Sequence, residues 1–260
     1  MQATSNDKGS LSPNGSPSPR PVRWIVPGAL AVVGIAAAAL AACNVYIAQH
    51  RSLHVVNGFG VPVAVCLDGG SPIEVQPNDR VTLVVAEGPH EARVTAAGGR
   101  VLTAGPFTVS ASLLARFFKQ PLYVLNAGCG ATLIWEEVVY GKQGAPGGMR
   151  LSVGQPFVAF DDVDFAFVQL PKAVKIAGVP VRKTRVEVFP LSPEQIMTAP
   201  LNLVGVSDRL TLAEAHLQLN PSDPALLKAY LETSEQHSQG ERARQFLAAQ
   251  AIAPPGTRVR

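Results

Sequence analysis

The sequence predicts a chain in three parts: one N-terminal transmembrane helix, an antiparallel β-sandwich or open β-barrel domain, and a short α-helical, tetratricopeptide-like C-terminal region. Three observations carry this prediction. Trp24 to Ala48 contains no charged residue across 25 positions. From Leu53 the apolar residues recur at every second position, in short runs separated by Gly, Pro and Asp, which is the pattern of strands joined by turns. After Phe189 the apolar spacing becomes that of helices.

Residues 1–23 are rich in Ser, Pro, Gly and Asn and show no apolar periodicity. Such a segment cannot bury enough surface to offset its chain entropy and is read as a disordered tail. The segment 24–48 that follows is a membrane span or a lipoprotein signal. About 20 apolar residues in a helix cross a hydrocarbon core of roughly 30 Å. Pro27 falls in the first turn, where a missing N–H costs little. Trp24 and Tyr46 lie near the two ends, where amphipathic rings favour the membrane interface. Leu40-Ala41-Ala42-Cys43 is similar to the bacterial lipoprotein pattern, in which the cysteine is acylated and becomes the new N-terminus. The apolar run is longer than a signal h-region and continues past Cys43 through Val45, Tyr46 and Ile47. An uncleaved signal-anchor and a lipoprotein acylated at Cys43 are therefore both open.

The β-rich domain is expected over 52–190. Val61, Val63, Val65 and Leu67 alternate with Pro62, Ala64, Cys66 and Asp68 before Gly69-Gly70 turns the chain. Further strands are expected at 80–85, 90–95, from Val101, at 122–126, 131–140, 157–167 and 173–189. Val179-Pro180-Val181 is placed at a sheet edge, because Pro cannot donate to a ladder. Ser110 to Lys119 reads as a short helix inside this region, and 141–148 as a loop. The helical region spans 192–252, opened by a cap at Ser192 with Pro193 in the first helical position. Helices follow at 208–219, 224–237 and 240–252, and 253–260 is read as a disordered end.

Charge excludes one class. Residues 50–191 hold 13 basic and 11 acidic residues, and 192–260 hold 6 and 7. No stripe has the basic density of a nucleic-acid binder. Of the three cysteines, Cys43 is in the apolar segment, leaving Cys66 and Cys129 as a disulfide pair or as two unpaired small apolar residues. No nucleophile elbow, zinc-protease, dinucleotide or P-loop pattern is present. Cys129, between Gly128 and Gly130, would need a base to hold it as thiolate, and no spacing ties His54 or His90 to it. Asp161, Asp162 and Asp164 lack the alternation and distal Glu of a calcium loop and read as solvated. No catalytic, cofactor-binding or metal residue is expected. Glu136 and Glu137 are adjacent in a strand and must point to opposite faces. Trp135, Glu137 and Tyr140 therefore mark a candidate binding surface on that strand.

The segment from Asn220 to Pro255 resembles a tetratricopeptide repeat. Asn220-Pro221 recurs as Pro254-Pro255, and Pro221 and Pro255 are 34 residues apart, the period of that repeat. Leu227 and Tyr230 fit the first helix, and Ala243 and Leu247 the second, while Leu231 departs from the small residue favoured there. A generic helical hairpin capping the β part is the other reading. Residues 50–190 resemble a family of uncharacterised bacterial membrane-anchored proteins with a helical-repeat end. The resemblance is carried by Asn57-Gly58, Pro62-Val63, Leu67-Asp68-Gly69, Glu87-Gly88-Pro89-His90, Val124-Leu125-Asn126, Trp135-Glu136-Glu137 with Tyr140, Gly154-Gln155-Pro156-Phe157, Val163-Asp164-Phe165 and Arg182 to Arg185. Val61 to Val94 is also similar to the start of a PEGA-like envelope module, without its opening Pro-x-Gly-Ala. Neither resemblance implies a reaction or a cofactor.

The function expected is a non-enzymatic cell-envelope protein, an interaction or scaffold module whose protein partner docks on the helical end at Leu227 and Tyr230. An envelope enzyme and a structural lipoprotein acylated at Cys43 are the alternatives. Lys8, Arg20 and Arg23 precede the apolar segment, whereas only Arg51 follows it before Arg80. Positive residues beside a span stay on the cytoplasmic side, so the N-terminus is expected in the cytoplasm and the rest of the chain outside it.

Overall fold

The computed structural model describes residues 25–118, 120–141, 147–174, 179–189, 191–200 and 202–252. The expected tail 1–23, Trp24, the loop positions 142–146 and the end 253–260 lie outside the described residues. The chain divides into two units, 1–43 and 44–260. Helix α1 (Ile25–Gln49) begins in the first. Its segment Leu30–Gln49 has a mean hydropathy of 2.2 and no buried residue over the most apolar stretch. It is long and apolar enough to cross a membrane, and a signal sequence would have the same properties.

Strands β1 (Arg51–Val56), β2 (Val63–Leu67), β3 (Ile73–Val75), β4 (Arg80–Val85), β5 (Gly88–Ala96) and β6 (Val101–Val109) follow α1. Helix α2 (Leu113–Phe117) separates them from β7 (Leu122–Asn126), β8 (Leu133–Tyr140), β9 (Met149–Ser152), β10 (Phe157–Phe160), β11 (Phe165–Ala166) and β12 (Val181–Val188). They form three four-stranded sheets: β10-β7-β1-β4, β3-β2-β5-β6 and β11-β12-β8-β9. The sheets are not wholly antiparallel, as the sequence reading expected. β1 pairs with β7 in parallel, and β11 with β12. A parallel pair needs a long crossover, and the whole β2–β6 excursion supplies it between β1 and β7.

Alternation along the strands decides how the sheets pack. Leu53 and Val55 of β1, with Tyr123 and Leu125 of β7, join one core with Val63, Val65, Val94 and Phe107 of the second sheet. Val56, Leu122 and Val124 point the other way, into a core with Leu133 and Val186 of the third sheet. The β10-β7-β1-β4 sheet is thus covered on both faces, and every residue of β7 is buried. β12 lies inside its sheet. Its first residue, Val181, pairs with Tyr140 of β8, while β11 reaches only Arg185 and Val186. The edge expected at Val179–Val181 therefore exists on one side of the strand only.

Two buried asparagines close the far ends of β1 and β7. Asn57 Nδ2 donates to the carbonyls of Val61, Val75 and Gln76, and its Oδ1 accepts from Phe59 N. Asn126 exchanges two hydrogen bonds with the Ala131 backbone. Gly58 has no room for a side chain: an added Cβ would lie 2.3 Å from Ala131 Cα.

The helical end consists of α3 (Pro193–Met197), α4 (Val206–Leu219), α5 (Pro224–Gln236) and α6 (Gly240–Ile252). Ser192 and Gln195 form a reciprocal capping box, with Pro193 at the start of the helix. Asp223 caps α5 through the amides of Ala225 and Leu226. Leu210, Ala213, Leu217, Leu226, Tyr230 and Ala243 form a core of their own. α4 also packs on the β part, where Ala215 enters the first core. His216 Nε2 is 2.9 Å from the Gly130 carbonyl. That oxygen can only accept, so Nε2 carries the proton. Burial lowers the His216 pKa, outweighing the Gly130 hydrogen bond, which favours the uncharged ring in this packing position.

Candidate functional site

Trp135 and Glu137 are two residues apart on β8 and share one face, as strand alternation requires. Across the ladder Trp135 pairs with Arg150 of β9, and Glu137 with Thr184 of β12. The Arg150 guanidinium lies over the Trp135 ring, 4.6 Å from its centroid. Arg182 Nη1 donates to Glu137 Oε1 at 3.2 Å. These groups line an open cleft of about 790 Å³ together with Leu151, Ser152, Gln155, Val158, Ala159, Phe160, Asp161, Asp162 and Asp164.

The cleft wall has a feature set by topology. A strand presenting one face contributes alternate residues. Here β9 contributes three consecutive residues, 150–152, and β10 contributes 158–160. Both are the last strands of their sheets. The cleft is thus lined by the terminal strands of two sheets, and a terminal strand carries on its outer side backbone N–H and C=O groups that its own sheet leaves unpaired.

Charge is uneven along the cleft. Four carboxylates, Glu137, Asp161, Asp162 and Asp164, face two guanidiniums, Arg150 and Arg182. Asp164 is held in place by the Thr184 amide and by Lys183 Nζ, each at 3.0 Å. Burial pushes its pKa up, but the bonds from Thr184 and Lys183 outweigh burial, and it stays ionised below the usual carboxylate range. Asp162 has a left-handed backbone, φ 57°, and its carbonyl accepts from the Thr184 hydroxyl. Among the described residues no group of three or more His, Cys, Asp or Glu side chains converges in a way that could hold a metal ion.

Other sequence-marked residues fall elsewhere. Tyr140 is on the opposite face of β8 from Trp135 and Glu137, and its hydroxyl donates to the Pro171 carbonyl at 2.6 Å. It holds the chain at Pro171 and takes no part in the cleft. Glu136, on the same face as Tyr140, pairs with Arg185, which also bridges to Glu187. Tyr230 is fully buried and Leu227 packs against the same helical core. They are packing residues and not an exposed docking surface: period-3.6 apolar spacing marks the inward face of a helix, whatever lies against it. Arg150, Ser152 and Phe160 carry no signal in the sequence, because cross-strand register leaves none locally, and Gln155 enters there only within Gly154-Gln155-Pro156-Phe157.

All three cysteines are free. Cys43 is exposed on α1. Cys66 Sγ lies 2.9 Å from the Gly70 carbonyl, and Cys129 is buried, so the structure follows the unpaired alternative. Burial raises the Cys129 pKa, against a weaker lowering by a Thr103 hydrogen bond. His54 bonds Thr82, and His90 bonds Asp68 and the Ala86 carbonyl, so neither ring serves as its base. Iodoacetamide at pH 7.5 is therefore expected to label native Cys66 and to spare Cys129 until denaturant is added, as read by peptide mass spectrometry. Fast labelling of Cys129 in the folded chain would restore it as a nucleophile.

No protein-family model matches the chain, and no curated protein matches it.

Proposed function

We propose that this chain is a membrane-anchored, non-enzymatic interaction protein that takes an extended, basic segment of a partner protein into the cleft between β9 and β10. The observation that carries this reading is the presence of two terminal strands in the wall of one cleft. An added strand gains backbone hydrogen bonds from an edge, and side-chain pockets then select among sequences. The excess of carboxylates selects for Lys and Arg in the added segment, and the Trp135–Arg150 pair forms a flat wall for an apolar or aromatic residue.

The packing of two sheets on opposite faces of a third supports a layered, sandwich-like architecture over a barrel. The packing of α4 on α5 and of α5 on α6 supports a tetratricopeptide-like buttress beside the β layers. Partner binding through the helical end is a weaker reading, because Leu227 and Tyr230 are spent on its own core.

The test uses the detergent-solubilised full chain and immobilised decapeptides of alternating polar and apolar residues. Peptides bearing Lys or Arg should bind, and their acidic counterparts should not. Asp161→Lys should weaken binding about tenfold, the effect of removing one favourable charge contact and adding a repulsive one. N-methylation of alternate amides in the peptide should abolish binding, since it blocks ladder hydrogen bonds. Binding indifferent to peptide charge, or unchanged by N-methylation, would refute the proposal.

The flanking charges at Arg20 and Arg23 support a cytoplasmic N-terminus. In a bacterial host, protease added to spheroplasts should digest the part after residue 50 and spare an N-terminal tag. Protection of that part would reverse the topology. Loss of the tag with a lipid mass on Cys43 would decide for the lipoprotein form.

A further inference from the structure

Arg116 of α2 reaches back to the end of the anchor helix. Its Nη1 donates to Asn44 Oδ1 at 2.8 Å, and its guanidinium also bonds Glu87. Glu87 N in turn donates to the Ala48 carbonyl at 2.7 Å. Two bonds thus tie the β part to residues 44–48, in the last turns of α1. Those turns have an interfacial character of their own: Tyr46 is exposed and stacks on His50 at 4.1 Å.

Against this junction the α2 segment turns apolar side chains outward. Leu113 is 64% exposed, Phe117 42% and Phe118 81%, within six residues of chain. Arg116, between them in sequence, is committed inward to Glu87 and Asn44. Large apolar side chains exposed this close together in the chain mark an interaction surface. Its place identifies what it meets, because the segment is bonded to the turns where α1 would leave the hydrocarbon core. The opposite end of the domain is distant: β1 rises about 20 Å over six residues between Arg51 at this junction and Asn57-Gly58, where α4 packs.

We propose that Leu113, Phe117 and Phe118 form a second membrane contact, inserting at the interface of the same bilayer that α1 spans and so fixing the orientation of the domain over the membrane. The occupant is lipid acyl chain and headgroup boundary. The ion cluster of Arg51, Arg116 and Glu87 lies behind these side chains and fixes the segment to the end of α1. Aromatic rings held at that depth restrict tilting of the domain about its single covalent tether.

This inference rests on α1 being a span, and the experiment separates the two. The full chain carries photo-activatable benzoylphenylalanine at position 118, 35 or 228, one per sample, and is reconstituted in phosphatidylcholine–phosphatidylglycerol vesicles. Position 118 already holds an exposed aromatic ring and Lys228 is exposed on α5, so neither replacement disturbs packing. Lipid adducts at 35 and 118, with none at 228, are expected on mass spectrometry after irradiation. Adducts at 35 without adducts at 118 overturn the second contact and leave the span standing. Absence at both 35 and 118 overturns the span reading and the contact with it. Adducts from 118 to a second copy of the chain in place of lipid also overturn the proposal.

Discussion

Replacing Glu87 by alanine is expected to destabilise the folded part by about 3–5 kcal/mol, the usual cost of removing one partner from a buried ion pair. Arg51 is 1% exposed, and its Nε lies 2.8 Å from Glu87 Oε1. Glu87 also accepts from Arg116. Among the described residues Arg51 Nη1 has no hydrogen-bond partner. Without the carboxylate a buried guanidinium would lose its counter-charge, which is worse than losing a contact. At about 2–4 °C per kcal/mol for a domain of this size, the melting temperature should fall by roughly 10 °C. Circular dichroism of the full chain in detergent reads this directly. A change below about 1 kcal/mol would mean that water reaches the cluster. The pH dependence follows with its sign. Burial raises the Glu87 pKa, but hydrogen bonds and charge from Arg116 and Arg51 outweigh it, and the folded value lies below the ordinary 4.5. The contribution is therefore complete above pH 4.5 and is lost as pH falls through the lower folded value. The alanine variant should lack this acid-side loss.

Replacing Tyr230 by alanine should destabilise the helical end by about 3–5 kcal/mol, the range for emptying an aromatic site in a core. Its ring is fully buried, edge-on to Phe246 at 5.6 Å, and its hydroxyl donates to Glu214 Oε1 at 2.8 Å. Arg242 holds the same carboxylate through two bonds of 2.7 Å. Tyr230→Phe keeps the ring and loses only the hydroxyl, so about 1.5 kcal/mol is expected from a bond to a charged acceptor. Limited proteolysis should show residues 206–252 opening in the alanine variant before the β layers do. Equal protection of both variants would place Tyr230 outside the core. Burial and the Glu214 carboxylate push the phenol pKa well above its ordinary 10.0. The phenol's contribution is then present below pH 10 and lost as pH rises toward the folded value.

Elements set by residues close in sequence are the ones legible without the fold. The uncharged run of α1, the strands at 80–85 and 122–126, and the cap at Ser192 with Pro193 behind it depend on residues within a few positions of one another. So do the three C-terminal helices, whose ends fell within two residues of those expected. Propensity, capping and periodicity act at that range. The split of 157–167 into β10 and β11 was not legible, because the chain turns there at left-handed Asp162.

The sequence by itself determined where the apolar helix, the main strand runs and the C-terminal helices lie, and which side of each strand is apolar, but not the short strands β3 and β9. It placed Trp135 and Glu137 on one face of a strand, since alternation leaves no choice. Tertiary structure alone decided what those faces meet. The parallel pairing of β1 with β7 joins residues about 70 positions apart, and the cleft exists because β9 and β10 end two different sheets. Tyr230 and Trp135 are both aromatic residues in regular elements, yet one is sealed in a core and the other lines an open cleft. The difference is physical: periodicity reports that a side chain prefers cover, while the partner that supplies cover comes from distant chain. Its identity is settled by how the layers stack.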